Sequence, residues 1–303
     1  MLDFKNPAVK DSAWASPILK NSGYFGADCA FGTLYIWSDA YDTKICKYKD
    51  FLLKCHGKRE IFYGFPVGRG DLKGAFEAMM EDADERGIPF RLSGLTKEMA
   101  SIVTELFPER FDFTEVRDFS DYIYQVEDMA SLRGKKFHSK RNHISKFERM
   151  YPWAYKKIGR ENIADCQKFV QEWFRLNAHK NEEAFEQEHT AINKALLAFE
   201  ELGFSGGILL VDGQIVALTL GEEVNSLVFV THFEKALTSY AGAYAMINKE
   251  FSRQNLAKYS YVNREEDLGL EGLRKAKMSY YPYILLEKFR AVMRCECEAS
   301  VRG

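Results

Sequence analysis

No stretch of the 303-residue sequence approaches the roughly 20 consecutive apolar residues of a membrane-spanning helix. The start, Met1-Leu2-Asp3-Phe4-Lys5, lacks the basic run followed by an apolar run that marks a secretion signal. Cysteine is sparse: six residues, at positions 29, 46, 55, 166, 295 and 297, with no CxxC and no Cys/His spacing suited to zinc. A disulfide scaffold and a zinc module are therefore excluded, and Cys295-x-Cys297 alone is too little for a metal site. An excess of charge of one sign is missing too. The 42 Lys and Arg against 44 Asp and Glu leave a net charge of −2, which excludes a uniformly basic nucleic-acid coat but not a local basic patch. The expectation is a reduced, soluble, cytoplasmic protein with neither a metal nor a covalently bound cofactor.

What is present is core material. Hydrophobic residues make up 46% of the chain and aromatics 14%, so it is globular, and its length suggests about two domains. Phe31, Leu34 and Tyr35 at helical spacing predict one helix within the first 43 residues. β-type runs cover 44–49, Phe51–His56 and Glu60–Phe65. Asp71 is a suitable N-cap for a helix over 72–86 that Gly87 stops. A strand at Ile88–Leu92, a helix over 95–107 and strands at Phe111–Arg117 and Tyr122–Val126 follow.

In the second half, helices over 161–179 and 188–202 precede a meander. Ile208–Val211 and Gln214–Leu220 flank Asp212-Gly213, a strong hairpin signal, and Leu227–Phe233 is the third strand. A small-residue loop at 239–243 opens a helix to about residue 254. Lys258–Val262, a helix over 269–278 and a strand at Tyr283–Val292 complete the series. Each half gives strands, a glycine-containing loop, a helix, a strand, a helix and a strand, which is the order of the acetyltransferase-type (GNAT) fold. The predicted class is α+β (mixed α/β): tandem GNAT-like (acyl-CoA N-acyltransferase) repeats, each a mostly antiparallel twisted sheet flanked by helices. The expected domains are 1–130 and 131–303, the second opening with a basic helix.

Several segments could carry chemistry. Gly68-Arg69-Gly70 before a helix suits either a phosphate turn or a plain glycine turn. The loop 239–243 is its counterpart, and Tyr240, Gly242 and Ala243 are candidates to hold a cofactor's pyrophosphate at a helix N-terminus. Residues 131–150 carry seven Lys and Arg against one Glu. On a helix Lys136, Lys140 and His143 share a face, while Phe137, Ile144 and Phe147 form an apolar stripe beside Arg141. An arginine on the packed side calls for an anionic partner, either a carboxylate or a ligand phosphate. The plainer reading is a solvated linker helix. The densest segment is 259–283. Its strand ends at Val262 and a polar cluster follows, with Arg274 and Lys277 aimed back toward that exit and Tyr280 nearby. His232 and Glu234 alternate onto one face of a strand end, where either could deprotonate an attacking amine.

These strings resemble a known family. Asn263-Arg264-Glu265-Glu266-Asp267-Leu268-Gly269, then Gly272-Leu273-Arg274-Lys275-Ala276-Lys277, Ser279-Tyr280 and Pro282 look like the signature of the DUF2156 family. That family is related to the C-terminal catalytic domain of phosphatidylglycerol lysyltransferases. Gly134-Lys135-Lys136 with Lys140-Arg141-Asn142-His143, and His232-Phe233-Glu234-Lys235-Ala236, look like two further signatures. The resemblance spans nearly the whole chain. It implies a tandem GNAT-like fold related to Fem-type peptidoglycan aminoacyltransferases, and aminoacyl-tRNA-dependent transfer. The membrane-bound lysyltransferases also carry a long multi-span region, which this sequence does not contain.

The leading expectation is a transferase that moves an aminoacyl or acyl group onto an amine or hydroxyl acceptor. Aminoacyl-tRNA or acyl-CoA is the donor, and a small molecule or lipid head group accepts. His232 or Glu234 is the base. Asn263, Arg264, Glu265, Asp267, Arg274, Lys277 and Tyr280 bind substrate, and Lys136, Lys140, Arg141 and Asn142 hold phosphate or tRNA. The alternative is a non-catalytic GNAT-like module that binds a nucleotide, tRNA or a small anionic metabolite.

Overall fold

The computed structural model describes residues 1–178 and 182–294, so Asn181, Cys295 and Cys297 lie outside the described residues. Along them run β1 (Lys44–Tyr48), β2 (Phe51–His56), β3 (Phe62–Tyr63), β4 (Val67–Gly68), β5 (Arg91–Leu95), β6 (Phe111–Glu115) and β7 (Asp121–Gln125). There follow β8 (Trp153–Lys157), β9 (Ser205–Val211), β10 (Gln214–Glu223), β11 (Val228–Ala236), β12 (Tyr261–Asn263), β13 (Ile284–Leu286) and β14 (Phe289–Met293). They form two mixed sheets flanked by helices. One has the order β1-β2-β3-β5-β14-β6 with β4 on β2, and the other β13-β7-β12-β11-β10-β9-β8. Most of the pairs are antiparallel, and β3·β5 in the first sheet and β11·β12 in the second are parallel. This is the mixed α/β architecture of two helix-flanked sheets that the element order predicts.

The chain divides into two units. Unit 1 holds Met1–Asp121, Glu266–Leu270 and the chain from Leu286 on; unit 2 holds Tyr122–Glu265 and Glu271–Leu285. The sequence suggests a junction near residue 130 and assigns everything after it to the second unit. In the structure the junction lies at 121/122 and the last strand returns to unit 1. The reason is burial on both faces: Tyr122, Ile123 and Tyr124 are all about fully buried, so β7 must occupy an interior place, between β12 and β13. The run 283–292, expected as one strand, breaks at Glu287-Lys288. β13 stays in the second sheet, and β14 pairs with β5 and β6 in the first.

In unit 1 the helix Leu72–Glu85 starts where predicted, because the Asp71 carboxylate accepts the Gly74 N–H at 2.9 Å. Its Ala75, Phe76, Met79 and Ala83 are buried. β5 begins three residues later than expected. Pro89 has no N–H to give to a ladder, so pairing starts beyond it. The predicted run Glu60–Phe65 pairs only at Phe62–Tyr63, and a helix at Ser12–Lys20 was not foreseen.

In unit 2 Asp212 and Gly213 both take left-handed φ (50° and 78°), closing the β9–β10 hairpin with Val211 opposite Gln214. β8 and the helix Val126–Ser131 were missed, and the acidic helix spans Glu182–Leu197 rather than 188–202. The core gathers Tyr122, Tyr124, Phe137, Phe147, Phe229 and Phe251 around the helix Ala243–Asn255.

Candidate functional site

β11 and β12 are joined through the helix Ala243–Asn255 and run parallel. They pair only from Val228↔Tyr261 to Val230↔Asn263, after which β11 continues to Ala236 on β10 but without β12. Strands that part at their carboxyl ends leave polar groups without ladder partners, a common place for a ligand in α/β sheets. Side chains from several elements of unit 2 converge there.

Arg264, the residue after β12, donates Nη2 to Glu234 Oε1 of β11 at 2.9 Å. Asn248, on the helix, donates Nδ2 to the other oxygen, Glu234 Oε2, at 2.9 Å. Two buried atoms then remain without a hydrogen-bond partner: Arg264 Nη1, a donor, and Asn248 Oδ1, an acceptor. A carboxylate only accepts, so the bond to Glu234 fixes the amide with its oxygen turned away. The Arg264 guanidinium lies 5.1 Å from the ring centroid of Tyr280 and 5.8 Å from that of Tyr124. Burial works against its charge, but Glu234 outweighs burial and raises its pKa. Lys140 Nζ lies 3.9 Å over the Tyr280 ring and donates to Ser279 Oγ at 2.7 Å. Burial and the nearby Arg264 push the Lys140 ammonium pKa down. Lys277 Nζ donates to the Arg264 and Glu265 carbonyls at 2.6 and 3.1 Å, and Tyr124 OH donates to the Lys277 carbonyl at 2.9 Å.

His232, midway along β11, has both ring nitrogens engaged by carboxylates. Leu220 faces Phe233 and Gly221 faces Thr231, so His232 is the extra residue of a bulge. Gly221 is required here, since a Cβ would lie 1.9 Å from the Val230 carbonyl oxygen. The ring is fully buried, with Nδ1 2.8 Å from Glu265 Oε1 and Nε2 3.1 Å from Glu222 Oε1. Burial opposes its charge, yet the two carboxylates outweigh burial and raise its pKa to about 9. At neutral pH it has no lone pair to offer an acceptor's proton.

Other sequence candidates hold the fold or lie apart. Asn263 Oδ1 accepts the Glu265 N–H at 2.7 Å and shapes the turn. Asp267 belongs to unit 1, where it is fully buried, accepts the Gly269 N–H at 2.9 Å and faces Arg117 at 3.6 Å. Arg274 is half-buried on the helix Glu271–Met278. Arg141 meets neither carboxylate nor open groove; it donates to the Leu132 and Gly134 carbonyls. Lys136 sits in the turn Lys135–Phe137 ahead of the helix His138–Met150, so it does not share a helical face with Lys140. It pairs with Asp128 at 2.8 Å. Asn142 is exposed and bonds His138. Gly242 N-caps the helix at φ 96°, and a Cβ there would lie 2.3 Å from the His143 carbonyl oxygen. The protein's own backbone thus takes the close approach expected for a pyrophosphate. Ala243 is buried, and Tyr240 packs on Tyr151 at 5.1 Å. Sequence reasoning missed Tyr124, Asn248, Ser279 and Glu222.

Unit 1 has its own buried charges. Asp28 is bonded by Lys54 and Lys288, each at 2.7 Å, and Lys288 also faces Asp121 at 3.6 Å. The Gly68-Arg69-Gly70 loop lines a cavity of about 290 Å³ with Tyr24, Phe51 and Phe65. The following helix already receives a carboxylate from Asp71, which occupies the position an anion would take. Among the described residues no helix is long and apolar enough to cross a membrane, and no group of three or more His, Cys, Asp or Glu could hold a metal ion.

Comparison with known proteins places these features in context. The structure is similar to a conserved protein of unknown function from Bacteroides thetaiotaomicron, at 42% identity and TM-score 0.92, covering 97% of this chain and 100% of that one. It also shares its fold with the C-terminal domain (DUF2156) assigned to a lysylphosphatidylglycerol synthetase of Agrobacterium fabrum, at 13% identity and TM-score 0.70, covering 96% of this chain and 94% of that one. An uncharacterized protein of Mycoplasmoides gallisepticum is 21% identical over 203 residues, 65% of this chain and 64% of that relative's length. The family model for the C-terminal region of phosphatidylglycerol lysyltransferase matches residues 21–292, and the chain belongs to that family.

Proposed function

We propose that the protein transfers an aminoacyl group from an activated ester to an amine or hydroxyl acceptor. The observation that carries this reading is the pair of unpartnered atoms around Glu234: a donor, Arg264 Nη1, and an acceptor, Asn248 Oδ1. An aminoacyl group presents the complement, a carbonyl oxygen to accept and an α-ammonium to donate, whereas a simple acyl group leaves Asn248 unsatisfied. Glu234 supplies the negative charge opposite the ammonium. Arg264 stabilises the negative charge that develops on the carbonyl oxygen as the acceptor attacks. The new C–N or C–O bond forms and the donor's ester C–O bond breaks; the acceptor's proton passes to Glu234, in place of the occupied His232, and on to the departing ester oxygen, which leaves as the donor's free hydroxyl. To let the group in, Lys140 swings off Tyr280 and follows the donor's phosphates. Aminoacyl-tRNA fits this donor better than acyl-CoA, because Gly242 is packed against His143. A small molecule or lipid head group is the acceptor.

The test is single-turnover transfer from labelled aminoacyl-tRNA, and from acyl-CoA, into a mixed pool of amines, hydroxyls and anionic lipid. Aminoacyl transfer that Asn248→Leu abolishes is the expected result. Transfer from acyl-CoA alone, or none from either donor, overturns it. A second reading, a non-catalytic sensor of a small amino-acid-like anion, draws on the locked imidazolium of His232. It predicts binding that Arg264→Ala weakens, with no product.

A further inference from the structure

The geometry points to His232 as a positioning residue: a buried imidazolium clamped between two carboxylates, which fixes the turn at Glu265 and through it the guanidinium of Arg264. This rests on the proposed transfer for its kinetic consequences but not for its geometry. A neutral imidazole has one N–H and can satisfy one carboxylate; its other nitrogen would set a lone pair against an anionic oxygen. With both carboxylates ionised, contacts of 2.8 and 3.1 Å to Glu265 and Glu222 on opposite nitrogens are both hydrogen bonds only when both nitrogens are protonated. Those carboxylates, on β10 and in the turn after β12, are the charged groups facing the ring; Phe204 and Phe233 supply the apolar remainder.

Glu265 is strained. Its φ of 57° is left-handed, unfavourable for a residue with a Cβ. Its backbone is tied by Asn263 Oδ1, Lys277 Nζ and the Tyr122 N–H, and its side chain by His232. Arg264 is the preceding residue, so whatever holds Glu265 sets where Nη1 points. The bulge that Gly221 permits aims the ring at this turn.

The first readout needs no substrate. In protein labelled with 15N-histidine and 15N-arginine, the His232 ring is expected to titrate near pH 9, with the Arg264 signals moving on the same curve. Glu222→Gln keeps the ring and the Glu265 bond, and should move that titration toward the ordinary value of about 6.5. A wild-type ring that titrates near 6.5, or Arg264 signals that ignore the titration, overturns the inference even in an active enzyme. The second readout is kinetic. The wild-type rate should fall as pH rises through about 9; His232→Gln should cut kcat about 10²-fold with donor KM little changed, and erase that fall. An unchanged kcat, or a fall seen only in KM, overturns it. Absence of turnover with every donor, alongside the expected titrations, overturns the proposed transfer and leaves this assignment standing.

Discussion

Lys288 and Arg264 are buried cations that face carboxylates, one in each unit, and they are satisfied in different ways. In unit 1, Lys288 and Lys54 share Asp28, and Lys288 reaches Asp121 as well, so two cations meet two anions. In unit 2, Arg264 meets the single carboxylate of Glu234 and keeps an unbonded nitrogen, while Asn248, on the other oxygen of that carboxylate, keeps an unbonded oxygen. Desolvation has been met by pairing in the first case and only partly met in the second. A completed network holds a fold together. An incomplete one is stabilised by what enters it, which is why the proposed transfer is assigned to unit 2.

The sharpest way to break the comparison is to remove a cation from each network. Lys288→Ala removes one of the two cations on Asp28 and the ammonium facing the buried Asp121, and should cost about 3–5 kcal/mol in urea unfolding, with any loss of transfer following the loss of folded protein. Arg264→Lys should do the reverse. Transfer should fall about 10²- to 10³-fold in single-turnover assays, with the urea midpoint near wild type, because lysine keeps the charge but loses the fork. If Lys288→Ala is mild and Arg264→Lys unfolds the chain, the roles of the two networks are exchanged.

Proton titration sharpens the same contrast. Burial pushes the Asp28 carboxyl up, but Lys288 and Lys54 outweigh it and hold its pKa well below the usual range. Its contribution to stability is present above the ordinary carboxylate pKa and is lost as pH falls through the depressed value. His232 runs the other way. Its contribution is complete below about 6.5 and is lost as pH rises through about 9. Hydrogen exchange by mass spectrometry should show unit 1 loosening first in acid and unit 2 first in alkali.

Smaller effects test features outside both networks. Gly242→Ala must move the His143 carbonyl and should cost about 1–3 kcal/mol of stability, read by thermal unfolding. A loss of donor affinity without destabilisation would instead restore a phosphate role to that loop. Lys136→Ala removes an exposed pair with Asp128 and should change stability by less than about 1 kcal/mol and transfer not at all.

Much of this was legible in the residues. The hairpin at Asp212-Gly213, the Asp71 cap and the helical pair Ile144 and Phe147 are local signals that appear where predicted, while Phe137, expected on the same helix, is buried from the turn before it. Glu234, Arg264, Lys140 and Tyr280 were singled out and do converge. What escaped depends on partners distant in sequence. His232 was seen, but Glu222 lies 10 residues before it and Glu265 33 residues after, and they meet only through the bulge. Tyr124 was read as strand, but its sheet follows from burial on both faces. Arg141 carried the right expectation of a partner and the wrong kind, because turn carbonyls at Leu132 and Gly134 can satisfy a guanidinium as well as a phosphate can.

β14 has a consequence for biosynthesis. It sits inside the first sheet, pairing Phe289 with Leu95 on one side and with Glu115 on the other. Until residues 289–293 leave the ribosome, β5 and β6 face a gap one strand wide, with unpaired edges on both sides. The first unit translated is therefore among the last to be completed, and β7 is free to pair in its own sheet well before then. During that interval the exposed β5 edge is a template for any extended segment. A chaperone that shields strand edges would act there, while the second unit is itself only just receiving its last strand, β13.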